Sequence, residues 1–425
     1  MIRWLFSKTI REACAMRKHV HRWYCAQRDR LSPQAISAVT LAMDALQAAI
    51  NEEKPNAGRI RIKMEELEFA ANKWLKPYPN AVWRENVEVL LVAIAVAMGV
   101  RTFFIQPFKI PTGSMQPTLY GVTSEPDFTP IYAGADDKAG VQADVDQQLK
   151  LQAAMPIPAI GGRVLDWFRG ISYVHFVAPT DGSVDEIAKP WPPAFFSIYQ
   201  RIEFAGVWHI LWFPPDYGEE PLRFRAGLDP GRLFHQGDDV IKLRVHAGDH
   251  LFVDRLTYNF RPPERGEIVV FETHGIERLP ADQQNTFYIK RLVGLGGETL
   301  SLKQDYQVAN APRLGTVSVG HLVVDGQPLS AATPHFANLY AFTDAQPAQK
   351  VLEYEPNHFY GHAMLEALAP DESFQVETNH CFVMGDNTMN SLDSRYWGDF
   401  SSDHIIGKSF LVYWPLTGRF GWGNQ

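Results

Sequence analysis

The sequence predicts three parts in order: an α-helical N-terminal region, one membrane-spanning helix and a mainly β remainder. Three observations carry this. Residues 36–74 repeat apolar side chains at helical spacing. Val87–Ile105 is an apolar run long enough to cross a bilayer. The rest is cut into short β-prone runs by Gly, Pro and Asp. At 425 residues the chain exceeds one ordinary domain, and 46% hydrophobic content allows a substantial core.

In the N-terminal region, Ser32-Pro33 reads as an N-cap followed by proline at the first helical position. Ile36, Val39, Met43, Leu46 and Ile50 then recur at spacings of three and four. After a turn signal at Lys54–Gly58, Ile60, Met64, Leu67, Ala71 and Trp74 do the same. Two narrow apolar seams joined by a short turn predict an antiparallel helical hairpin, either a self-packed appendage or a docking element. Met1–Arg30 is rich in Arg and Lys and carries Trp4, Leu5, Phe6, Trp23 and Tyr24. That composition suits a segment lying on an anionic inner leaflet.

The apolar run Val87–Ile105 contains Glu88 and Arg101 near its ends, where long side chains can reach water. It has no polar face and stops at Gln106-Pro107, so a span is favoured over a core helix. A cleaved signal would be shorter and at the N-terminus, so the run is expected to be an anchor. Met1–Asn86 holds fifteen Lys/Arg against nine Asp/Glu, a net of +6, while the whole chain is −8. That asymmetry places residues 1–86 in the cytoplasm and everything after Ile105 on the far side. Val207–Phe213 is too short for a second span and includes His209. Cys14, Cys25 and Cys381 give no disulfide framework and no zinc-ligand spacing. No metal, no cofactor and no nucleic-acid partner is expected.

Immediately after the run comes Gln106-Pro-Phe-Lys-Ile-Pro-Thr-Gly-Ser-Met-Gln-Pro-Thr-Leu119. Ser114, behind a glycine on a proline-bracketed loop, is a candidate nucleophile, with Thr112 as a neighbouring donor for an oxyanion. Taken alone, such a run fits an ordinary turn as well. A serine nucleophile needs a base, and none of the fourteen histidines stands in a triad context. Lys290 lies inside the β-prone run Phe287-Tyr-Ile-Lys-Arg-Leu-Val293. Burial would favour its neutral amine, the only form that accepts a proton; the alternative is an edge lysine turned to water.

The Ser114 segment, Arg265–Phe271, Tyr288–Glu298 and Gly385-Asp-Asn-Thr-Met-Asn-Ser-Leu-Asp-Ser-Arg-Tyr-Trp-Gly398 together resemble the conserved blocks of bacterial type I signal peptidases. The resemblance implies a membrane-anchored serine endopeptidase with the β fold shared by signal peptidases and LexA-like self-cleaving repressors. It implies Ser114 as nucleophile and Lys290 as general base. It gives the oxyanion to the Ser114 amide and the Thr112 hydroxyl, and makes Ser391 a hydroxyl that orients the lysine. It implies ion pairs Asp386–Arg291 and Asp393–Arg395, and substrate contacts at Ile110, Tyr288 and Ile289. The implied partners are secretory preproteins, cut after small residues, and membrane lipid, with the catalytic part outside a bacterial inner membrane. Oligomeric state stays open.

The expected division is therefore 1–86 cytoplasmic, 87–105 transmembrane, 106–119 with 248–425 peptidase, and 120–247 inserted. The insert departs from the family pattern. Its 128 residues include Trp191-Pro-Pro193, Ile210–Pro215 and the β-like Val240–Val245, which predict a mostly β subdomain. Its acidic, Gln-rich stretch Ala133–Gln152 is expected to be a mobile loop. A hairpin is expected at Leu322–Leu329 with Asp325-Gly326 as its turn. Two rival readings are a related Ser–Lys maturation peptidase with a dedicated substrate and a catalytically silent anchored scaffold.

Overall fold

The computed structural model describes residues 8–52, 55–76, 81–129, 138–191, 198–215, 217, 222–228, 231–312, 314–346, 350–355 and 358–422. Trp4, Leu5, Phe6, Lys54, Pro192 and Pro193 lie outside these residues, as do 133–137 of the expected loop. The chain forms two compact units, Met1–Val96 and Ala97–Gln425.

In the first unit, helices Lys8–Gln27, Pro33–Asn51 and Ala57–Trp74 pack around one core. Ser32 caps the second helix by accepting from Ala35 N, and Pro33 opens it. Asn56 caps the third. The core is a three-helix one, not only the expected hairpin. Ile10, Ala13, Val20 and Tyr24 face inward against Val39, Met43, Leu46, Ile60 and Leu67. The Arg- and Lys-rich stretch is thus an amphipathic helix with its apolar stripe against protein. Gln27 ties its end to the end of the third helix, donating to Lys76 O at 2.9 Å.

A fourth helix, Ala81–Phe103, runs from the first unit into the second. Its segment Trp83–Phe103 is 21 residues long and contains an 18-residue window of mean hydropathy 1.7, none of it buried, so by length and composition it can cross a membrane. The helix begins before Val87 and ends at Phe103; Ile105 already belongs to a strand. Gln106-Pro107 offers no helical continuation.

The second unit is mainly β. Its first strand is β1 (Ile105–Lys109). Residues 120–247 then supply β2 (Thr123–Glu125), β3 (Ile171–Val177), β4 (Gly182–Ile187), β5 (Tyr199–Phe204), β6 (Val207–Trp212), β7 (Leu233–Phe234) and β8 (Asp239–His246). These make two small sheets, β2-β8-β3 and β6-β5-β4-β7, over a shared apolar core that includes Ile202, Phe204, Ile241 and Leu243. Among the described residues of this segment are also the helices Lys138–Ala154 and Ile160–Phe168 and a short one at Leu222–Arg225. The first occupies most of the expected mobile loop. Its Ala, Gln, Leu and Lys residues are good helix formers, and Gln148 is pinned by Asp127 N at 3.1 Å.

The chain returns through β9 (His250–Asp254), β10 (Ile268–Glu272) and β11 (Phe287–Leu295). A second sheet follows, built on the long hairpin β12 (Thr299–Ala311) and β13 (Gly315–Val324), with β14 (Gln327–Pro328), β15 (Val351–Glu353), β16 (His362–Ala363) and β17 (Ser373–Gln375). Asp325 and Gly326, both in the left-handed region, turn β13 into β14. The last strands are β18 (His380–Met384), β19 (Phe400–Ser401), β20 (Ile405–Trp414) and β21 (Gly421–Trp422). The principal sheet has the order β1-β9-β20-β10-β11-β18-β19. Strands far apart in sequence are thereby neighbours, and the loops after β1 and β18 meet beside β11.

Candidate active site

β1 continues the apolar helix almost without a break, and Arg255 N closes on Phe104 O at 3.0 Å. The chain then becomes irregular from Ile110 to Leu119, as Pro111 and Pro117 demand. Met115 and Leu119 plug this segment into a core with Ile110, Leu251, Val253, Ile268 and Val412. Ser114, between these apolar anchors, is 5% exposed. Two groups from the loop after β18 hold it: Asn387 N donates to Ser114 O at 3.0 Å, and Asn387 Nδ2 to Gly113 O at 3.1 Å.

Lys290 sits at the middle of β11, paired with Val269 on β10. Its Nζ lies 2.7 Å from Ser114 Oγ, and the side chain is buried. The Tyr288 ring, 5.5 Å from Nζ, closes one side. Thr112 Oγ1 lies 3.4 Å from Ser114 Oγ. Ile110 and Ile289 share the apolar cluster beneath the nucleophile segment. Ser114, Lys290, Thr112, Ile110, Tyr288 and Ile289 are thus brought together.

The next residue on β11 has a different environment. Arg291 makes a two-pronged pair with Asp386, Nε to Oδ1 at 2.7 Å and NH2 to Oδ2 at 2.6 Å, with both side chains almost fully buried. Thr118 completes it, donating to Asp386 at 2.5 Å and accepting from Arg291 at 3.2 Å. Arg395 grips Asp393 in the same way at 2.8 Å on both prongs, with no exposed surface on either. Burial opposes the Asp393 charge, but the Arg395 guanidinium and its hydrogen bonds outweigh it and hold the carboxyl below the usual carboxylate range. Thr388 Oγ1 accepts from Arg395 at 2.7 Å and from Ala363 N at 2.5 Å.

Ser391 donates to Asp393 Oδ2 at 2.7 Å, and Gly385 N donates to the same oxygen at 2.9 Å. A Cβ at Gly385 would run into both Ser391 Oγ and the Ser114 carbonyl oxygen. Gly385 therefore lets the Ser391 loop lie against the nucleophile. Thr118, Gly385, Asn387 and Thr388 were not singled out by the sequence reading. Their signal was position alone: each lies inside a quoted motif, but a hydroxyl or amide in a loop does not announce its partner.

The signal peptidase, peptidase S26 family matches residues 83–123 and 241–414, just over half of the chain, and skips the segment between them. Signal peptidase I of Leptolyngbya laminosa is 27% identical over 173 residues, 41% of this chain and 64% of that protein. Signal peptidase I of Pseudomonas aeruginosa is 28% identical over 199 residues, 41% of this chain and 62% of that protein. The matches thus span less than two thirds of these relatives' own length. A crystal structure of a signal peptidase I from Enterococcus faecalis is 24% identical, covers 35% of this chain and 97% of that one, and superposes with a TM-score of 0.22. The helix that can cross a membrane, the Ser114 segment and strands β9 to β11 and β18 to β20 all fall within the matched residues, and the chain belongs to the S26 signal peptidase family.

Proposed function

We propose that the protein is a membrane-anchored endopeptidase that removes signal peptides from exported preproteins, with Ser114 as nucleophile and Lys290 as general base. The observation that carries the reading is the 2.7 Å approach of Lys290 Nζ to Ser114 Oγ in a buried setting. At that distance the hydroxyl proton passes directly to a neutral amine. Burial disfavours the ammonium relative to the amine, which suits a lysine base.

In the first half-reaction Lys290 takes the Ser114 proton while Oγ bonds to the scissile carbonyl carbon. The oxyanion accepts from the Ser114 amide and the Thr112 hydroxyl. Collapse breaks the C–N bond, and the leaving amine takes the proton from Lys290. Water then gives a proton to Lys290 and attacks the acyl-enzyme; collapse returns the proton to Ser114. The Asp393 carboxylate fixes the Ser391 hydroxyl, whose oxygen would then orient Lys290 by accepting from its amine. Ile110, Tyr288 and Ile289 would line the cleft and admit small residues by excluding larger ones. The helix Trp83–Phe103 would anchor the chain with residues 1–86 cytoplasmic and the peptidase outside.

Purified full-length protein should cleave a preprotein carrying an Ala-x-Ala site at that site, read by mass spectrometry of the products. The Ser114→Ala protein should cleave none. Cleavage elsewhere, or equal cleavage by Ser114→Ala, refutes the reading.

A further inference from the structure

The two ends of the insert cross directly over the segment that carries the nucleophile. Tyr120–Val122 leads out and Ala247–Asp249 leads back, and both lie against Ile110–Thr112. Ile110 N donates to Asp249 O at 2.9 Å, Val122 N to Pro111 O at 3.2 Å, and Asp249 N to Tyr120 O at 2.8 Å. The Asp249 carboxylate, fully buried, accepts from Tyr120 N at 2.8 Å. It also receives Nε and NH2 of Arg419 at 3.0 Å. The same guanidinium lies 4.2 Å over the Tyr120 ring. One aspartate therefore fastens the outgoing segment, the returning segment and the nucleophile segment together.

Two glycines make the crossing possible. A Cβ at Gly121 would land on the carbonyl carbon and oxygen of Thr112 and 2.7 Å from its Cα. A Cβ at Gly248 would run into the Ile110 carbonyl oxygen and lie 3.3 Å from Val122 N. Neither glycine is among those with positive φ, so the requirement is space for close backbone approach, not a left-handed conformation. The backbone atoms displaced by either methyl group belong to the residues that carry the oxyanion hydroxyl and the apolar cleft wall.

We propose that Gly121, Gly248 and Asp249 are positioning residues for peptide cleavage: the neck of the insert sets the backbone of Ile110–Thr112, and through it the Thr112 hydroxyl. The insert is then not an independent appendage; its junctions belong to the catalytic apparatus. This rests on the reading of Ser114 and Lys290 as the dyad.

The test is steady-state cleavage by the full-length enzyme in detergent, with melting temperature measured alongside. The variants are Gly121→Ala, Asp249→Asn and, as a control, Gly206→Ala, which changes the β5–β6 turn at φ 74°, where an added Cβ meets nothing within 4 Å. Displacement of an oxyanion donor should lower kcat in Gly121→Ala by about 10²-fold, with KM within about twofold of wild type. Asp249→Asn should lower kcat in the same direction, and Gly206→Ala should leave kcat unchanged. Wild-type kcat in folded Gly121→Ala overturns the proposal, as does a loss that merely follows the unfolded fraction. Should Gly121→Ala fail to fold, Arg419→Lys keeps the charge but loses the two-pronged grip. It should lower kcat with KM unchanged, and a wild-type kcat there overturns the proposal. An inactive Ser114→Ala beside a fully active Gly121→Ala removes the neck from the mechanism while leaving the dyad. An active Ser114→Ala removes the dyad itself.

Discussion

Lys290 and Arg291 are adjacent basic side chains on β11, and their surroundings differ. Arg291 is held by a carboxylate, Asp386, in a two-pronged pair that fixes its guanidinium. Lys290 is set against a hydroxyl. A lysine base needs such a partner, since a carboxylate in that place would favour its ammonium. The two buried pairs carry the frame around the site. Asp386→Asn leaves the Arg291 charge without its counterion, and Asp393→Asn does the same to Arg395. Each should cost about 3–5 kcal/mol in a chemical denaturation curve. A cost below about 1 kcal/mol for either would mean that water or another group already compensates the arginine. His362 makes a separate residue-level prediction. Burial pushes its pKa down to about 3, with Arg395 and Arg291 adding to the effect and Asp393 opposing it. Its Nδ1 lies 2.7 Å from Tyr340 Oη. The folded protein therefore keeps this imidazole neutral, while the unfolded chain protonates near the ordinary value of 6.5. The associated stability is fully present above about pH 6.5 and is lost as pH falls toward 3. His362→Gln should flatten the dependence of melting temperature on pH across that window; an unchanged slope would contradict the assignment.

Among the elements, legibility followed how local the signal was. The helices at Pro33–Asn51 and Ala57–Trp74 were written in three-and-four spacing and in their caps, and the turn at Asp325-Gly326 in the residues that tolerate positive φ. The helix Lys8–Gln27 carried the same spacing at Ile10, Ala13, Val20 and Tyr24, but its charge and aromatic content drew the reading toward a lipid surface. The helix Lys138–Ala154 was misread because acidic and Gln-rich composition describes solvation and says little about backbone conformation. In the site, Ser114 and Lys290 were visible through motif resemblance, whereas Asn387 and Thr118 act across 274 and 268 residues of sequence. No local pattern encodes such pairs; the order of strands in the principal sheet creates them. The Ser32 cap offers an element-scale check. Ser32→Ala removes the bond to Ala35 N and should cost about 1 kcal/mol, with faster amide exchange confined to the first turn of that helix. Exchange that rises equally through all three helices would show that the cap serves the whole bundle.

At the scale of the molecule, the second unit begins inside the apolar helix, and β1 follows with only Phe104 between. An anchored chain of this kind would hold Ser114 within a short reach of the bilayer, where a preprotein's own apolar segment would reside. Inserting a flexible Gly/Ser linker of about 20 residues after Phe103 should lower kcat/KM for a membrane-bound preprotein through a lower effective concentration. Cleavage of a short soluble peptide should be unaffected; equal loss on both substrates would show that the direct helix-to-strand passage shapes the site itself. The central claim, that Lys290 is the base for Ser114, is tested most directly by single-turnover cleavage of a preprotein by the full-length Lys290→Ala protein. The account predicts a folded protein with the wild-type melting profile and no detectable cleavage at any pH where the wild type acts. Cleavage by Lys290→Ala at the wild-type rate would contradict it.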